Sequence, residues 1–419
     1  MRTDRRSFLK SALASSSLVT FGAATVPTFL GRSAVAAGRS ARANDRVLVV
    51  VQLIGGNDGL NTVVPHAHDG YARGRRVLRI PGAQALPVTK EIGLHPGLGG
   101  LARLLEADRL AIVQGVGYPN PDRSHFRSME IWESARTDPK AIETGWLGRV
   151  LDAHPPAPGA DAPAFRVGGG SLPLAFRARA QAVPSFETLD EFRLRLAGDD
   201  AAKRESRSAL DDLARADRSA DDALLGFLRR STLAAYESSR RLEQITAAGS
   251  DGEGAAKYPE YGLARRLKLI AQIIKAGFGT RLYYTALDGF DTHANQLASH
   301  AGLMTELGDS LAAFHADLAA AGQADRVAVL AFSEFGRRVA ENASLGTDHG
   351  AAAPCFVIGP VAQPGLVGDH PSFDRLDDGD LIHHTDFRRV YSALLGPWLG
   401  LDAAPIVGEG FDPLPLFRA

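Results

Sequence analysis

The sequence predicts a doubly wound α/β fold, a mostly parallel sheet with helices on both faces. Three observations carry that prediction. Short β-branched runs recur that are almost entirely apolar. Helical stretches lie between several of them. Acidic, histidine and hydroxyl residues gather just after the runs, at the edge where open α/β sheets bind ligands.

The first run is Val47 to Ile54, closed by Gly55-Gly56. Its only polar member is Gln52, so the strand offers no face to water and is expected to be buried on both sides. A helical stretch from Leu98 to Glu106 precedes the second run, Leu110 to Val116. The later runs are Phe165 to Val167, Arg281 to Leu287, Arg326 to Phe332 and Cys355 to Ile358. Asn295 to Ala321 places Leu303, Leu307, Leu311, Phe314 and Leu318 on one helical face. The section from about 185 to 276 differs. Thr188 to Glu191 reads as a capping box, leucines sit among many charges, and Arg265 to Ala276 carries Leu267, Ile270 and Ile274 at helical spacing. It is expected to be a helical insertion beside the sheet.

The length of 419 residues suits one large α/β domain with such an insertion. With 47 basic and 48 acidic residues there is no electrostatic case for binding nucleic acid. The single cysteine, Cys355, excludes an intrachain disulfide and a cysteine-based zinc site, and its apolar neighbours suggest burial. Arg5-Arg6-Ser7-Phe8-Leu9-Lys10 matches the twin-arginine export motif; an apolar stretch from Ser11 to Leu30 and the cleavage site Ala34-Val35-Ala36 follow. The expected organisation is a signal over residues 1–37 and one domain over 38–419. The expected location is the periplasm or the exterior, reached through the twin-arginine translocase with the chain folded. Removing residues 1–36 takes away five basic side chains and one acidic one, moving the net charge from −1 to −5. No later stretch reaches the ~18 apolar residues of a membrane span.

Asp58 lies in the segment after the first run and reads either as a turn residue or as a ligand. Arg123-Ser124-His125-Phe126-Arg127 follows the second run; Ser124 is either a helix N-cap or a nucleophile. Asp291 and His293, two apart, suit a loop that aims both at one ion. Glu334 either pairs with Arg337 or Arg338 at helical spacing or belongs to the site. Asp348-His349 is a turn or a ligand pair. Together these groups have the composition of an oxygen- and nitrogen-ligated metal site with a nucleophile.

The set Gly-Gly-Asn-Asp-Gly-Leu-Asn61, Ser-His-Phe-Arg-Ser128, Phe-Asp-Thr-His293, Phe-Ser-Glu-Phe-Gly-Arg-Arg338, Gly-Thr-Asp-His-Gly350 and Thr385-Asp-Phe-Arg388 resembles an exported family labelled domain of unknown function 1501. That family is similar in turn to the alkaline phosphatase superfamily, which includes sulfatases and cofactor-independent phosphoglycerate mutases. The resemblance implies two metals. One takes an early Asp, the nucleophile and an Asp-His pair, and the other takes an Asp and two His. On that pattern Asp58 resembles the early Asp, Ser124 the nucleophile, Asp348 and His349 the late pair, and Asp291 and His293 the start of the other site. The last histidine is open among His370, His383 and His384. No Cys-x-Pro-Ser-Arg motif is present, which speaks against a formylglycine sulfatase.

The expected function is therefore an exported hydrolase of phosphate or sulfate esters dependent on Zn, Mn, Ca or Mg. Asn57, Arg123, His125, Arg127 and Glu334 are the candidates for contacting a small-molecule or polymer-borne anionic ester. The alternative is a catalytically degenerate binding or assembly protein on the same fold. A redox enzyme is disfavoured by the lack of a Gly-x-Gly-x-x-Gly fingerprint after the first run.

Overall fold

The computed structural model describes residues 45–157, 160–188 and 257–417. The export signal expected over 1–37, the capping box and most of the expected insertion lie outside the described residues.

The sheet strands in chain order are β1 (Val47–Ile54), β2 (Leu110–Gly117), β3 (Ala164–Val167), β4 (Ser185–Phe186), β5 (Leu282–Asp288) and β6 (Val327–Ser333). A hairpin of β7 (Arg337–Glu341) and β8 (Thr347–His349) follows. β9 (Ala353–Ile358), β10 (Gly365–Val367) and β11 (Thr385–Asp386) return to the main sheet. Among the described residues the sheet has nine strands in the order β10-β2-β9-β6-β1-β5-β3-β4, with β11 also pairing β2. β1 runs parallel to both neighbours, Val50 standing opposite Tyr284 on β5 and Leu330 on β6. Every residue of β1 but the last is buried, as its unbroken apolar sequence requires. One strand departs from the parallel pattern: β9 runs antiparallel to both β2 and β6. Cys355 sits on it, buried, where loss of solvation pushes its thiol up to about 12.

Alternate residues of β1 feed two cores. Val47, Val49, Val51 and Leu53 face α1 (Gly99–Glu106), α4 (Gly262–Lys275) and α5 (Gln296–Ala320). Leu48 and Val50 face α2 (His125–Ser134), α3 (Trp146–Ala153) and α6 (Phe387–Ala393). A helical layer on each face satisfies a sheet with two apolar sides. The helix α4 falls within the stretch read as an insertion, yet Leu263, Leu267, Ile270 and Ile274 belong to the first core. That part of the stretch is one of the sheet's covering helices.

The strand ends fix where the chemistry sits. β1, β5 and β6 are mutually parallel, so Asn57-Asp58, Asp291 to His293 and Glu334 emerge at one edge. Gly55 has φ +117, and a Cβ there would stand 2.4 Å from the backbone nitrogen of Asp291. The turn after β1 is therefore glycine so that the turn after β5 can lie against it. The expected helical spacing of Glu334 with Arg337 and Arg338 is not realised, because Arg337 opens strand β7. The β7–β8 hairpin folds back over the edge and brings His349 to it.

Candidate metal centre

Three imidazoles and one carboxylate converge at this edge. His125 opens α2, Asp291 and His293 follow β5, and His349 ends β8. Asp291 Oδ1 lies 3.1 Å from His293 Nε2, 3.2 Å from His349 Nε2 and 3.4 Å from His125 Nε2. The two Nε2 atoms of His293 and His349 are 2.9 Å apart. The ligand atoms of His125, Asp291 and His349 all lie within 4.8 Å of one another, a spacing that could hold a metal ion.

The far nitrogen of each ring fixes what the near one presents. His349 Nδ1 stands 2.7 Å from the Arg123 carbonyl, which can only accept, so Nδ1 carries the hydrogen. His125 Nδ1 donates to the Glu334 carboxylate at 2.8 Å, and His293 Nδ1 to Asp348 at 3.2 Å. In the neutral tautomers all three Nε2 lone pairs therefore point at Asp291 Oδ1. Lone pairs facing one another need a cation or a proton between them. His125 Nε2 is buried without a hydrogen-bond partner. The donor set and this orphaned atom fit a divalent ion bound by nitrogen and oxygen, and the three acceptors behind the rings are the usual outer support of such ligands.

Electrostatics support the same arrangement. The Asp291 carboxyl is opposed by burial, but the Arg337 guanidinium at 2.7 Å holds it well below the usual carboxylate range. Burial lowers His349, keeping it neutral, while the Glu334 hydrogen bond raises His125 and makes its ring more basic. Arg337 is fully buried and is itself pinned by the carbonyls of Gly55, Gly56, Phe290 and Thr347. Phe335 covers the rings of His125 and His349 at centroid distances of 4.9 and 4.8 Å.

Several candidates stand elsewhere or in other roles. Asp58 is sealed in the interior, both carboxylate oxygens held by Arg75 at 2.6 and 3.0 Å, with Gln296 donating as well. A carboxylate so committed has no free lone pair to offer an ion, and Asp58 is not part of the cluster. Asn57 is buried too, its amide spent on Thr62 and its carbonyl on His300. Arg123 is held by Asp378 and Asp380 and contributes its backbone carbonyl rather than its guanidinium. Arg127 pairs with Glu130 and Thr137. Glu334 is fully buried and supports His125 instead of facing solvent. Asp348 stands behind His293, its carboxyl held below the usual range by the Asn342 amide and by His293. Ser124 is the exposed N-cap of α2, but its hydroxyl makes no capping bond. His370 donates to the Pro371 carbonyl, His384 to the Asp369 carbonyl, and His383 packs on Gly117; none joins the cluster. His125, read as a substrate contact, stands in the cluster beside Asp291 and His349. Its position directly after a hydroxyl N-cap was the available signal.

The molecule is thus a doubly wound α/β protein with a histidine-rich candidate cation site at the carboxyl edge of its sheet. The chain belongs to the family described as Protein of unknown function (DUF1501), whose model matches residues 111–397. No curated protein matches it by sequence. Among solved structures it is similar to the C-terminal periplasmic domain of EcEptC from Escherichia coli in complex with Zn, with 10% identity, a TM-score of 0.36 and 89% of each chain covered. It is also similar to the lipoteichoic acid synthase LtaP from Listeria monocytogenes, with 8% identity, a TM-score of 0.35, and 78% of this chain and 68% of that one covered. A third is alkaline phosphatase from the Antarctic bacterium TAB5, with 11% identity, a TM-score of 0.29, and 76% and 92% covered. The fold assignment rests on the strand order and the two helical layers themselves.

Proposed function

We propose that the chain is an exported, metal-dependent hydrolase of phosphate or sulfate esters. The observation that carries this reading is the convergence of three Nε2 lone pairs on Asp291 Oδ1, each ring oriented from behind by an acceptor. His125, His293, His349 and Asp291 would hold the ion. When bound, a divalent ion supplies Lewis acidity, polarising an ester oxygen and acidifying a hydroxyl or water. Arg337 offsets Asp291, and the Glu334 and Asp348 carboxylates behind the rings offset the ion in sum, so the attraction for an anionic ester would be local, at the ion itself. Ser124 is the proposed nucleophile. It precedes the ligand His125 in sequence, its hydroxyl makes no capping bond, and the first-turn N–H groups of α2 favour anionic oxygens. The twin-arginine motif at Arg5-Arg6 supports export. Among the described residues, no helix is long and apolar enough to cross a membrane.

The test is elemental analysis of the purified protein together with turnover of aryl phosphate, phosphodiester and sulfate. A stoichiometric ion that His349→Ala loses, and turnover that Ser124→Ala loses, are expected. A protein that holds no ion and hydrolyses none of the esters overturns the reading. A second reading, a degenerate binding or assembly protein, draws on one observation: Arg123 is consumed by Asp378 and Asp380, leaving no guanidinium from that residue to grip an ester. In that case Ser124→Ala changes no phenotype.

A further inference from the structure

A groove of about 730 Å³ opens beside the cluster, between α2 and the segment after β3. It shares walls with the cluster: Ser124 and Phe126, which flank His125, line it, and so does Ile54, which precedes the turn held by Glu334. Its floor is polar. Gln52, 2% exposed on the central strand, accepts from the Tyr284 hydroxyl at 2.6 Å through its carbonyl. Its amide nitrogen is buried without a partner at hydrogen-bond distance, although it lies near enough to Glu133 to favour that carboxylate. A donor this deeply buried and left unpaired is destabilising unless something fills the groove and accepts from it.

Charge and shape narrow the occupant. Arg127 and Arg166 line the groove, but Arg127 is paired with Glu130, and Arg166 spends donors on the carbonyls of Gly168 and Gly169 with the Glu187 carboxylate near enough to attract it. Burial pushes Glu133 up to about 7, against the backbone N–H groups of Leu174 and Ala175. The walls therefore present no uncommitted cation for an anion. At the rim Phe126 is 85% exposed and Leu172 40% exposed, an aromatic face and an aliphatic one left to water. A planar ring above buried amide and carboxyl groups matches a ligand with C–H faces and many hydroxyls.

We propose that this groove is a subsite for a neutral, hydroxyl-rich ligand, a sugar unit, which presents an attached anionic ester to the neighbouring imidazoles. The second half rests on the hydrolase reading; the first half does not. The sugar's C–H face lies on Phe126, and one hydroxyl accepts from Gln52 Nε2.

Saturation-transfer NMR on the full chain, with cellotriose, maltotriose, chitotriose and mannotriose as probes, tests it with and without added Zn. At least one trisaccharide is expected to bind. Phe126→Ala should weaken it about tenfold, the loss of one stacking contact, and Gln52→Leu similarly. His349→Ala should leave it unchanged. Because Gln52 is buried, the exposed Phe126 variant keeps the test decisive should Gln52→Leu fail to fold. Absence of binding by all four sugars, or binding indifferent to Phe126→Ala, overturns the proposal. So does a groove that takes a neutral tripeptide or a phosphatidylcholine vesicle instead. Sugar binding by a protein that holds no ion and turns over no ester leaves the subsite standing and removes only the hydrolase reading.

Discussion

Asp58 and Asp291 follow adjacent strands, β1 and β5, and each is paired with a buried arginine, yet they do opposite things. Asp58 is 0% exposed and gives both oxygens to Arg75, itself fully buried. Asp291 is 51% exposed and gives one oxygen to Arg337, and the same oxygen faces three imidazole nitrogens. The first pair closes a hole in the core; the second leaves an electron-rich point facing solvent. The type of partner does not separate structure from chemistry here. What separates them is whether the carboxylate retains unused acceptor capacity within reach of other lone pairs.

The largest effect that sharpens this contrast is in the sealed pair. Asp58→Asn strands the Arg75 charge, and removal of one member of a buried pair costs about 3–5 kcal/mol. Urea unfolding should show that loss while ion content stays at the native level. Unchanged stability with a lost ion would reverse the roles assigned to the two aspartates. A third carboxyl, Glu133, is buried like Asp58 but forms no ion pair with an arginine among the described residues. Burial raises it from 4.5 to about 7, so between those values the folded state keeps a proton that the unfolded state has released. Stability falls as pH rises through that window, and the whole penalty is present above it. Glu133→Gln should therefore stabilise the protein by on the order of 2–3 kcal/mol at pH 8 and by little near pH 4.5. Thermal melts at the two pH values check this, and an equal shift at both would mean that the carboxyl is ionised throughout.

Next comes the support of the open site. Glu334→Gln keeps the shape behind His125 and removes the charge, which should weaken ion binding about 10–100-fold, the usual range for such outer partners. Competition with a chelator measures it, and an unaltered affinity would take His125 out of the ligand set. The smallest effect is at Ser124. With no capping bond to lose, Ser124→Ala should change unfolding free energy by within ~0.5 kcal/mol. A larger loss would make the hydroxyl a structural cap.

The strands of the sheet were legible because the runs at Val47, Leu110, Leu282 and Val327 are apolar on both faces and need the interior. Asp291 and His293 were legible from position, since parallel strands deliver whatever follows them to one edge. The fate of Asp58 was not. Arg75 lies 17 residues beyond it, in no periodic relation, and only the packed structure brings the two together. The hairpin that carries His349 was hidden by the helical spacing of Glu334 and Arg337. Sequence spacing gave no sign that Arg337 would be drawn into a strand by four backbone carbonyls. His125 was read as a substrate contact because nothing in Ser124-His125 shows from sequence that the ring turns toward Asp291.

The inward-facing groups come from three distant stretches of chain, at residue 125, at 291–293 and at 349. They are joined only through pairings between distant parts of the chain, so every contact of the site is long-range and carries a large loop-closure cost. A zinc finger, with its ligands in one short segment, folds around its metal. An ion held by these groups would find its place only in the finished molecule, and by binding the native state alone it would stabilise that state with the logarithm of its free concentration. If the site forms after the folding transition state, such an ion would slow unfolding and leave the rate of folding unaltered.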